Sequence, residues 1–492
     1  MVFTSLEFVI FFTVFYLLFI VTPQSYRLHL LLGASLFFFG YAVPKHLWLL
    51  LLTIAISYVC GIGIAADRGR RKIYLWGGIV SLLGLLAFFK YTDFAISLAN
   101  SALSVVKPGA TITPLGILLP IGISFFVFQA ISYLVDVYRG DKAAEHNIIV
   151  LALFKAFFPQ LVAGPIERST NLLPQIRKVF VEPRSEPLVS REAMQVGSQL
   201  ILLGFFKKVC IADNLALFAD HVFAEPGKHG PLAATLGVYC FAFQIYCDFA
   251  GYSDIARGVS RIMGIDLMEN FRRPYWSTSI REFWTRWHIS LSSWFRDYLY
   301  KPLGGSQVGA HRWALNIMAV FLLSGLWHGA AVNFIIWGGV HGVIYLFENG
   351  LAKLRPRPLA ATAGPGLRGA IAGQLGWLLA MFTTFHVVCF AWIFFRARTF
   401  GEAIGVLQSI ASIGQVPLWK GFELFERMSF AWCVLFVAIL LVIDAWAEWG
   451  GKLLASLAQN DTARWTMYYA AAAAIIVFGN WQSSQQFIYF QF

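Results

Sequence analysis

Charge is scarce in this chain. Asp, Glu, Lys and Arg make up 13% of its 492 residues, against roughly 25% in an ordinary soluble domain. That shortage excludes a large solvated surface, and with it the soluble enzyme classes. Cysteine is sparse and unpaired in pattern. Cys60, Cys210, Cys240, Cys247, Cys389 and Cys433 lie mostly in apolar runs with no CxxC pair, so the spacing supports neither a disulfide framework nor a cysteine zinc site. They read as small buried hydrophobes. No basic stretch precedes Leu6–Val21 and no clear small-residue cleavage site follows it, so this segment is expected to stay as a first span and not to be removed as a signal peptide. Tandem repeats and long low-complexity tracts are also lacking; Leu359 to Gly369, rich in Ala, Gly and Pro, reads as a plain loop.

What the chain has in excess is apolar sequence, 58% of all residues. Length alone would suggest about three soluble domains. The apolar segments, however, run nearly end to end and predict a single all-α polytopic membrane domain over 1–492. Within it, 1–110 reads as N-terminal spans, 111–350 as the core carrying the chemistry, 351–480 as C-terminal spans and 481–492 as an aromatic tail. Candidate spans are Leu6–Val21, Leu28–Ala42, Leu47–Ala65, Leu75–Phe89, Leu115–Val137, Ile148–Val162, Val196–Val209, Leu232–Phe249, Trp313–Trp327, Ala331–Phe347, Leu375–Phe395, Phe430–Ala445 and Tyr468–Asn480. Several fall short of the about 20 residues that cross a bilayer. These are expected to be re-entrant or half helices, tolerated where protein surrounds them.

The net charge of +12 needs no nucleic acid, because cytoplasmic loops of membrane proteins retain Lys and Arg. The basic loops at Arg68–Lys72, Arg168–Arg191 and Lys353–Arg368 are accordingly placed in the cytoplasm. Counting spans outward from them puts both termini on the opposite, outer side.

Histidines stand where hydrocarbon-compatible sequence ought to exclude them. His328 lies in Phe321-Leu-Leu-Ser-Gly-Leu-Trp-His-Gly-Ala330, between apolar stretches. An ionisable group at that depth is costly and normally faces a bundle interior with a task. One helix from Trp313 to Phe347 would be about 50 Å long, so the chain is expected to break near Gly325 and Gly329. A straight helix from Arg312 carries His328 about 24 Å from that charge. A neutral imidazole there is a competent general base. His341 and His386 are also flanked by apolar residues and read as structural.

The least membrane-like stretch runs from Asn270 to Gly305. Ser277, Thr278 or Ser279 offers an N-cap, with Glu282 three residues after Ser279 as in a capping box. A helix continuing from there would put Arg281, Trp284 and His288 on one face. An interfacial amphipathic helix accounts for the aromatics and arginines. The same stretch also carries Arg272, Arg273, Arg281, Arg286, Arg296 and Lys301, a cluster suited to phosphates. Asp248 and Asp254, in Tyr246-Cys-Asp-Phe-Ala-Gly-Tyr-Ser-Asp254, lack the loop chemistry of a cation site. They are expected to cap helices and pair with Arg257 or Arg261. No metal is expected.

Taken in order, Pro120-Ile-Gly-Ile-Ser-Phe-Phe126, Phe158-Pro-Gln-Leu-Val-Ala-Gly-Pro-Ile166, Tyr246-Cys-Asp-Phe-Ala-Gly-Tyr-Ser253, Asn270-Phe-Arg-Arg-Pro-Tyr-Trp276, Phe283-Trp-Thr-Arg-Trp-His-Ile-Ser290 and Gly325-Leu-Trp-His-Gly329 resemble the membrane-bound O-acyltransferases. The likeness is strongest to the bacterial branch that acetylates exported polysaccharides such as alginate. It implies a multi-helix bundle in the bacterial inner membrane, with a cytosolic funnel for an acyl thioester and a narrow tunnel to the opposite face. His328 matches the family's catalytic intramembrane histidine and His288 its second signature histidine. The closing residues Phe487-Ile-Tyr-Phe-Gln-Phe492 resemble an aromatic motif in which a tyrosine takes up the acyl group; Tyr489 is the matching residue.

The implied reaction takes acetyl-CoA as donor substrate, with no bound cofactor. Arg272, Arg273, Arg281, Trp284, Arg286 and Trp287 would hold the donor. A periplasmic acetyltransferase or polysaccharide would complete the export, amid membrane lipid and without nucleic acid. Two other readings remain at this point: a D-alanyl or other acyl transferase fed by an acyl carrier protein, and a transporter or flippase, whose midplane polar groups and broken helices look similar. No inverted repeat is visible to favour the last.

Overall fold

The computed structural model describes residues 1–183, 190–354, 367–426, 428–451, 460–481 and 487–488. Among these there is no β-strand beyond one isolated bridge between Ile413 and Val416. The all-α reading therefore holds. In chain order the helices are α1 (Leu6–Val21), α2 (Gln24–Ala42), α3 (Leu47–Ala66), α4 (Arg71–Val106), α5 (Ile123–Arg139), α6 (Ile148–Ala156), α7 (Phe158–Leu161), α8 (Ser169–Ile176), α9 (Arg191–Phe205), α10 (Asp213–Ala224), α11 (Pro231–Ile262), α12 (Ile280–Arg286), α13 (Ile289–Phe295), α14 (Ala310–His328), α15 (Val332–Leu354), α16 (Leu367–Arg396), α17 (Phe400–Ala411), α18 (Met428–Trp449) and α19 (Asp461–Phe478). A π-helical turn, Phe206–Ala212, joins α9 to α10.

Among the described residues, five helical stretches are long and apolar enough to cross a membrane: Pro44–Ala66, Arg71–Val106, Pro231–Ile262, Gly373–Arg396 and Met428–Trp449. α1 is apolar but shorter. Several expected spans break into pieces. Leu115–Val137 forms a helix only from Ile123, and Ile148–Val162 divides into α6 and α7 at Phe157, just before Pro159. Pro159 has no amide to continue α6 and would clash with the carbonyl of Lys155, whereas the first turn of α7 accommodates it. Conversely, α4 extends to 36 residues, about 54 Å, well past the expected Leu75–Phe89.

Contacts divide the chain into two compact units, with boundaries inside the residue ranges of α9 and α11 and a third between Glu269 and Asn270. They do not coincide with the blocks expected from the sequence. The first comprises Met1–Ile201 and Tyr252–Glu269. Its apolar centre gathers phenylalanines: Phe158 packs on Phe11, Phe15 and Phe38 at 5.5–5.7 Å between ring centres. The second comprises Leu202–Gly251 and Asn270–Phe492. Its core is built on the fully buried indoles of Trp287, Trp337 and Trp392. Both signature histidines belong to it.

Candidate active site

His328 is the last residue of α14. Gly329 follows in extended geometry, and α15 starts at Val332, so the break falls where the glycines placed it. The two helices meet at glycines. A Cβ on Gly325 would lie 2.1 Å from the Phe334 carbonyl oxygen, and one on Gly338 would lie 2.2 Å from that of Phe321. Only hydrogen fits at these crossings. This close approach fixes the end of α14 and thereby the imidazole of His328. Around that imidazole stand Trp327 and Trp337, both 5.0 Å away between ring centres, and Phe395 at 5.4 Å.

His288 reaches the same place from a turn, and here the structure corrects the sequence reading. The expected helix through Arg281, Trp284 and His288 stops at Arg286, and His288 adopts the left-handed conformation with φ 43°. Those three side chains therefore share no single helical face. Such geometry costs a non-glycine residue about 1–3 kcal/mol and persists only where its surroundings impose it. Asn270 supplies that constraint. Its carbonyl accepts the Ile289 amide at 2.9 Å, and its side-chain oxygen accepts the Ser290 hydroxyl at 2.6 Å. The Arg272 amide bonds the Arg286 carbonyl at 2.9 Å. Among the described residues, the only other non-glycine with positive φ is Arg273, in the same motif. The N-cap at Ser279 forms as expected, with its hydroxyl accepting the Glu282 amide at 3.1 Å. Glu282 turns instead to the amide and hydroxyl of Thr278, both at 2.8 Å.

The outcome is that the two signature histidines are neighbours. Their ring centres lie 6.4 Å apart at an interplanar angle of 61°, and both rings are buried. His288 packs edge-on against Phe249 at 4.7 Å. The other two histidines singled out above stand apart from this arrangement. His386 bonds the Tyr239 hydroxyl at 2.6 Å and the Phe382 carbonyl at 2.8 Å, while His341 is packed among Phe283, Trp284, Phe321 and Trp337.

A cavity of about 330 Å³ opens between α12–α13 and α14, lined by Arg281, Trp284, Ile289, Ser292, Ser293, Arg296, Tyr300, Ser324 and Tyr345 among others. Its lining includes Ile289, next to His288, and Ser324, one turn before His328. A volume of this size suits a slender organic ligand, and Arg281 and Arg296 place cations on its wall. The residues expected to hold a donor thus separate into groups. Arg281 and Trp284 line the cavity. Arg273 and Arg286 are engaged with Glu448, Arg286 at 3.0 Å, and Arg286 also pairs with Glu282 at 2.7 Å. Trp287 is core, between Phe283 and Trp392. Arg272 contributes its backbone to the Asn270 turn. Ser324, Tyr300 and Tyr345 went unnoticed in the sequence; the spacing of Ser324 one turn before His328 was the available signal.

The two aspartates also behave differently from expectation. Both lie inside α11, away from its ends. Asp254 does pair with Arg257, at 3.8 Å. Asp248 instead faces the Lys208 ammonium at 2.8 Å, which also holds Asp213 at 2.6 Å. The second oxygen of Asp248 accepts the Ile488 backbone amide at 2.8 Å. Phe487 and Ile488 are buried, and the Phe487 ring lies 5.7 Å from Phe249, the ring that covers His288. Upstream, the Asn480 amide bonds the Val209 carbonyl and the Asn214 amide group bonds that of Phe478. Tyr489 lies outside the described residues.

The frame is polytopic and helical, and it holds a buried pair of histidines beside a cation-walled cavity. Residues 141–392 match the MBOAT family, and the chain belongs to the membrane-bound O-acyltransferases. It is 39% identical over 422 residues to the probable alginate O-acetylase AlgI of Pseudomonas aeruginosa, covering 84% of this chain and 75% of the relative. It is 33% identical over 411 residues to a peptidoglycan O-acetyltransferase of Helicobacter pylori (78% and 74%). To a teichoic acid D-alanyltransferase of Bacillus subtilis it is 30% identical over 288 residues (57% and 69%). Family membership sets the transporter reading aside.

Proposed function

We propose that this enzyme moves an acetyl group from cytosolic acetyl-CoA across the bacterial inner membrane for O-acetylation of an exported polysaccharide such as alginate. The observation that carries the reading is the adjacency of His288 and His328 next to a cavity with arginines on its wall. In this scheme Arg281 and Arg296 attract the donor's phosphates, and Trp284 flanks its arm. His328 takes the proton of the attacking hydroxyl as that oxygen bonds to the thioester carbonyl carbon. The C–S bond then breaks and CoA leaves as thiolate, which the imidazolium protonates. His288 positions the reacting groups beside it.

The attacking hydroxyl is assigned to Tyr489. A phenol with its usual pKa of about 10 needs such a base to act as a nucleophile. A polymer hydroxyl, or that of a periplasmic transferase, then attacks the tyrosyl ester and regenerates the phenol. Both chain ends lie on the periplasmic side in this scheme. The burial of Phe487 and Ile488 and the ring series Phe487, Phe249, His288 support it.

Purified enzyme supplied with radiolabelled acetyl-CoA is expected to release CoA and to carry or pass on label. A second reading, transfer of D-alanine or another acyl group from a carrier-protein thioester, is favoured by the similarity to the teichoic acid D-alanyltransferase. Turnover of a D-alanyl carrier thioester, with none of acetyl-CoA, would select it and overturn the first.

A further inference from the structure

Apart from the cysteines and aspartates, the chain carries a His-x₃-Glu-x₃-His series. His221 lies in the last turn of α10, Glu225 follows as its C-cap, and His229 closes the loop before α11. Gly227, at φ 88°, turns the loop back on itself. One ligand atom from each of the three residues lies within 4.8 Å of the others. The two imidazoles sit 5.4 Å apart between ring centres, inclined at 60°.

His229 is the unusual member. It is 6% exposed, and neither of its ring nitrogens makes a well-formed hydrogen bond. A buried polar group left in that state is costly and calls for a physical explanation such as a bound ion. Its ring is held in place by the backbone. Gly421 leaves it room, since a Cβ there would come within 2.7 Å of its Nδ1, and the Gly230 amide bonds the Lys420 carbonyl at 2.8 Å.

We propose that His221, Glu225 and His229 form a site for a divalent transition metal, zinc being the best fit. Two imidazole nitrogens and a carboxylate oxygen suit zinc, whereas calcium and magnesium prefer all-oxygen sets. Zinc bonds of about 2.0–2.2 Å place tetrahedral ligand atoms about 3.3 Å apart, so the cluster must contract. The exposed His221 and the half-exposed Glu225 supply that movement around the fixed His229. Lys228 holds one Glu225 oxygen at 2.8 Å; an exposed ion pair of this kind is weakly held and yields to the metal. Water completes the fourth position. The ion would clip the end of α10 to the loop before α11 and, through Gly230, to the segment carrying Lys420.

The test uses the full-length chain, purified in detergent, freed of any affinity tag and stripped with chelator. Cobalt(II) titration should give the visible absorption of a four-coordinate centre at one equivalent per chain, and zinc should displace it. Zinc should also raise the thermal midpoint. His229→Gln should abolish both responses. His221→Gln, at an exposed position that folding tolerates, should weaken cobalt binding at least tenfold. Absence of saturable cobalt binding by the wild type, or equal binding by His221→Gln, overturns the proposal.

Discussion

Asp248 accepts the backbone amide of Ile488 at 2.8 Å, so a side chain in the middle of α11 holds the chain 240 positions later. Backbone hydrogen bonds are indifferent to side-chain identity. The contact therefore fixes the place of Ile488 whatever its side chain. On the following residue of α11, Phe249 touches both Phe487 and His288. The place of Ile488 and the environment of His288 are thus set by adjacent residues of one helix.

His328→Ala should abolish acetyl transfer and leave the fold intact. General-base assistance contributes about 10²–10⁴-fold in rate. The imidazole is packed against Trp327, Trp337 and Phe395, so its loss leaves a modest cavity at a helix end and no new buried charge. CoA release by purified enzyme should fall by at least a hundredfold while the melting temperature moves by a few degrees. Near wild-type CoA release would remove His328 from the chemistry.

Arg281→Ala combined with Arg296→Ala should raise KM for acetyl-CoA with little change in kcat, because ground-state contacts act mainly through KM. Hydrogen bonds to charged groups are worth about 1.5–3 kcal/mol each, which corresponds to a tenfold or greater rise. Arg273→Ala with Arg286→Ala should behave differently. Both partners of Glu448 disappear, so the melting temperature should drop while KM changes less. The reverse pattern would move the donor site from the cavity to the Glu448 cluster.

How much of this was legible follows from whether the cause is local. The helix break at Gly329 and the N-cap at Ser279 were readable because glycine and serine act on their own segment. The place of His328 at the far end of its helix from Arg312 was readable by counting residues. His288 was misread because periodicity continues through Trp287, while the left-handed turn is imposed by Asn270 from a neighbouring strand of chain. Asp248 looked like a partner for Arg257, close in sequence, but Lys208 and Ile488 lie far from it along the chain. No local pattern announces such pairings. The arginine cluster was visible as charge; which of its members Glu448 neutralises was not.

Gly325→Ala tests how the histidine is positioned. Its Cβ would sit 2.1 Å from the Phe334 carbonyl oxygen, so α14 and α15 must separate. Overpacking of this kind costs about 1–3 kcal/mol and shifts His328, one turn away. Gly339→Ala is the control, since its nearest contact would be Leu322 at an ordinary 3.6 Å. Activity should fall at least tenfold in the first variant and stay within twofold in the second. Equal activities, measured as CoA release at saturating donor, would show that the glycine crossing does not set the imidazole's place.

Asp248→Asn and Tyr489→Phe should separate docking of the tail from its chemistry. The asparagine oxygen can still accept the Ile488 amide, but its attraction to Lys208 is lost, and Lys208 keeps Asp213. Asp248→Asn should therefore fold with a loosened tail. Lys208→Met should be worse, because two buried carboxylates lose their shared cation; breaking such a pair costs about 3–5 kcal/mol. Hydrogen exchange in the peptide containing Phe487 and Ile488 should rise in Asp248→Asn and remain at the wild-type level in Tyr489→Phe. Both variants should bind acetyl-CoA normally and lose polymer acetylation in cells, by at least tenfold in Tyr489→Phe. Mass spectrometry of trapped wild-type enzyme should find an acetyl group on the final peptide. If Tyr489→Phe acetylates polymer normally while Asp248→Asn does not, the dock stands and the relay falls. If exchange at Ile488 is unchanged in Asp248→Asn, its carboxylate charge is not what holds the tail.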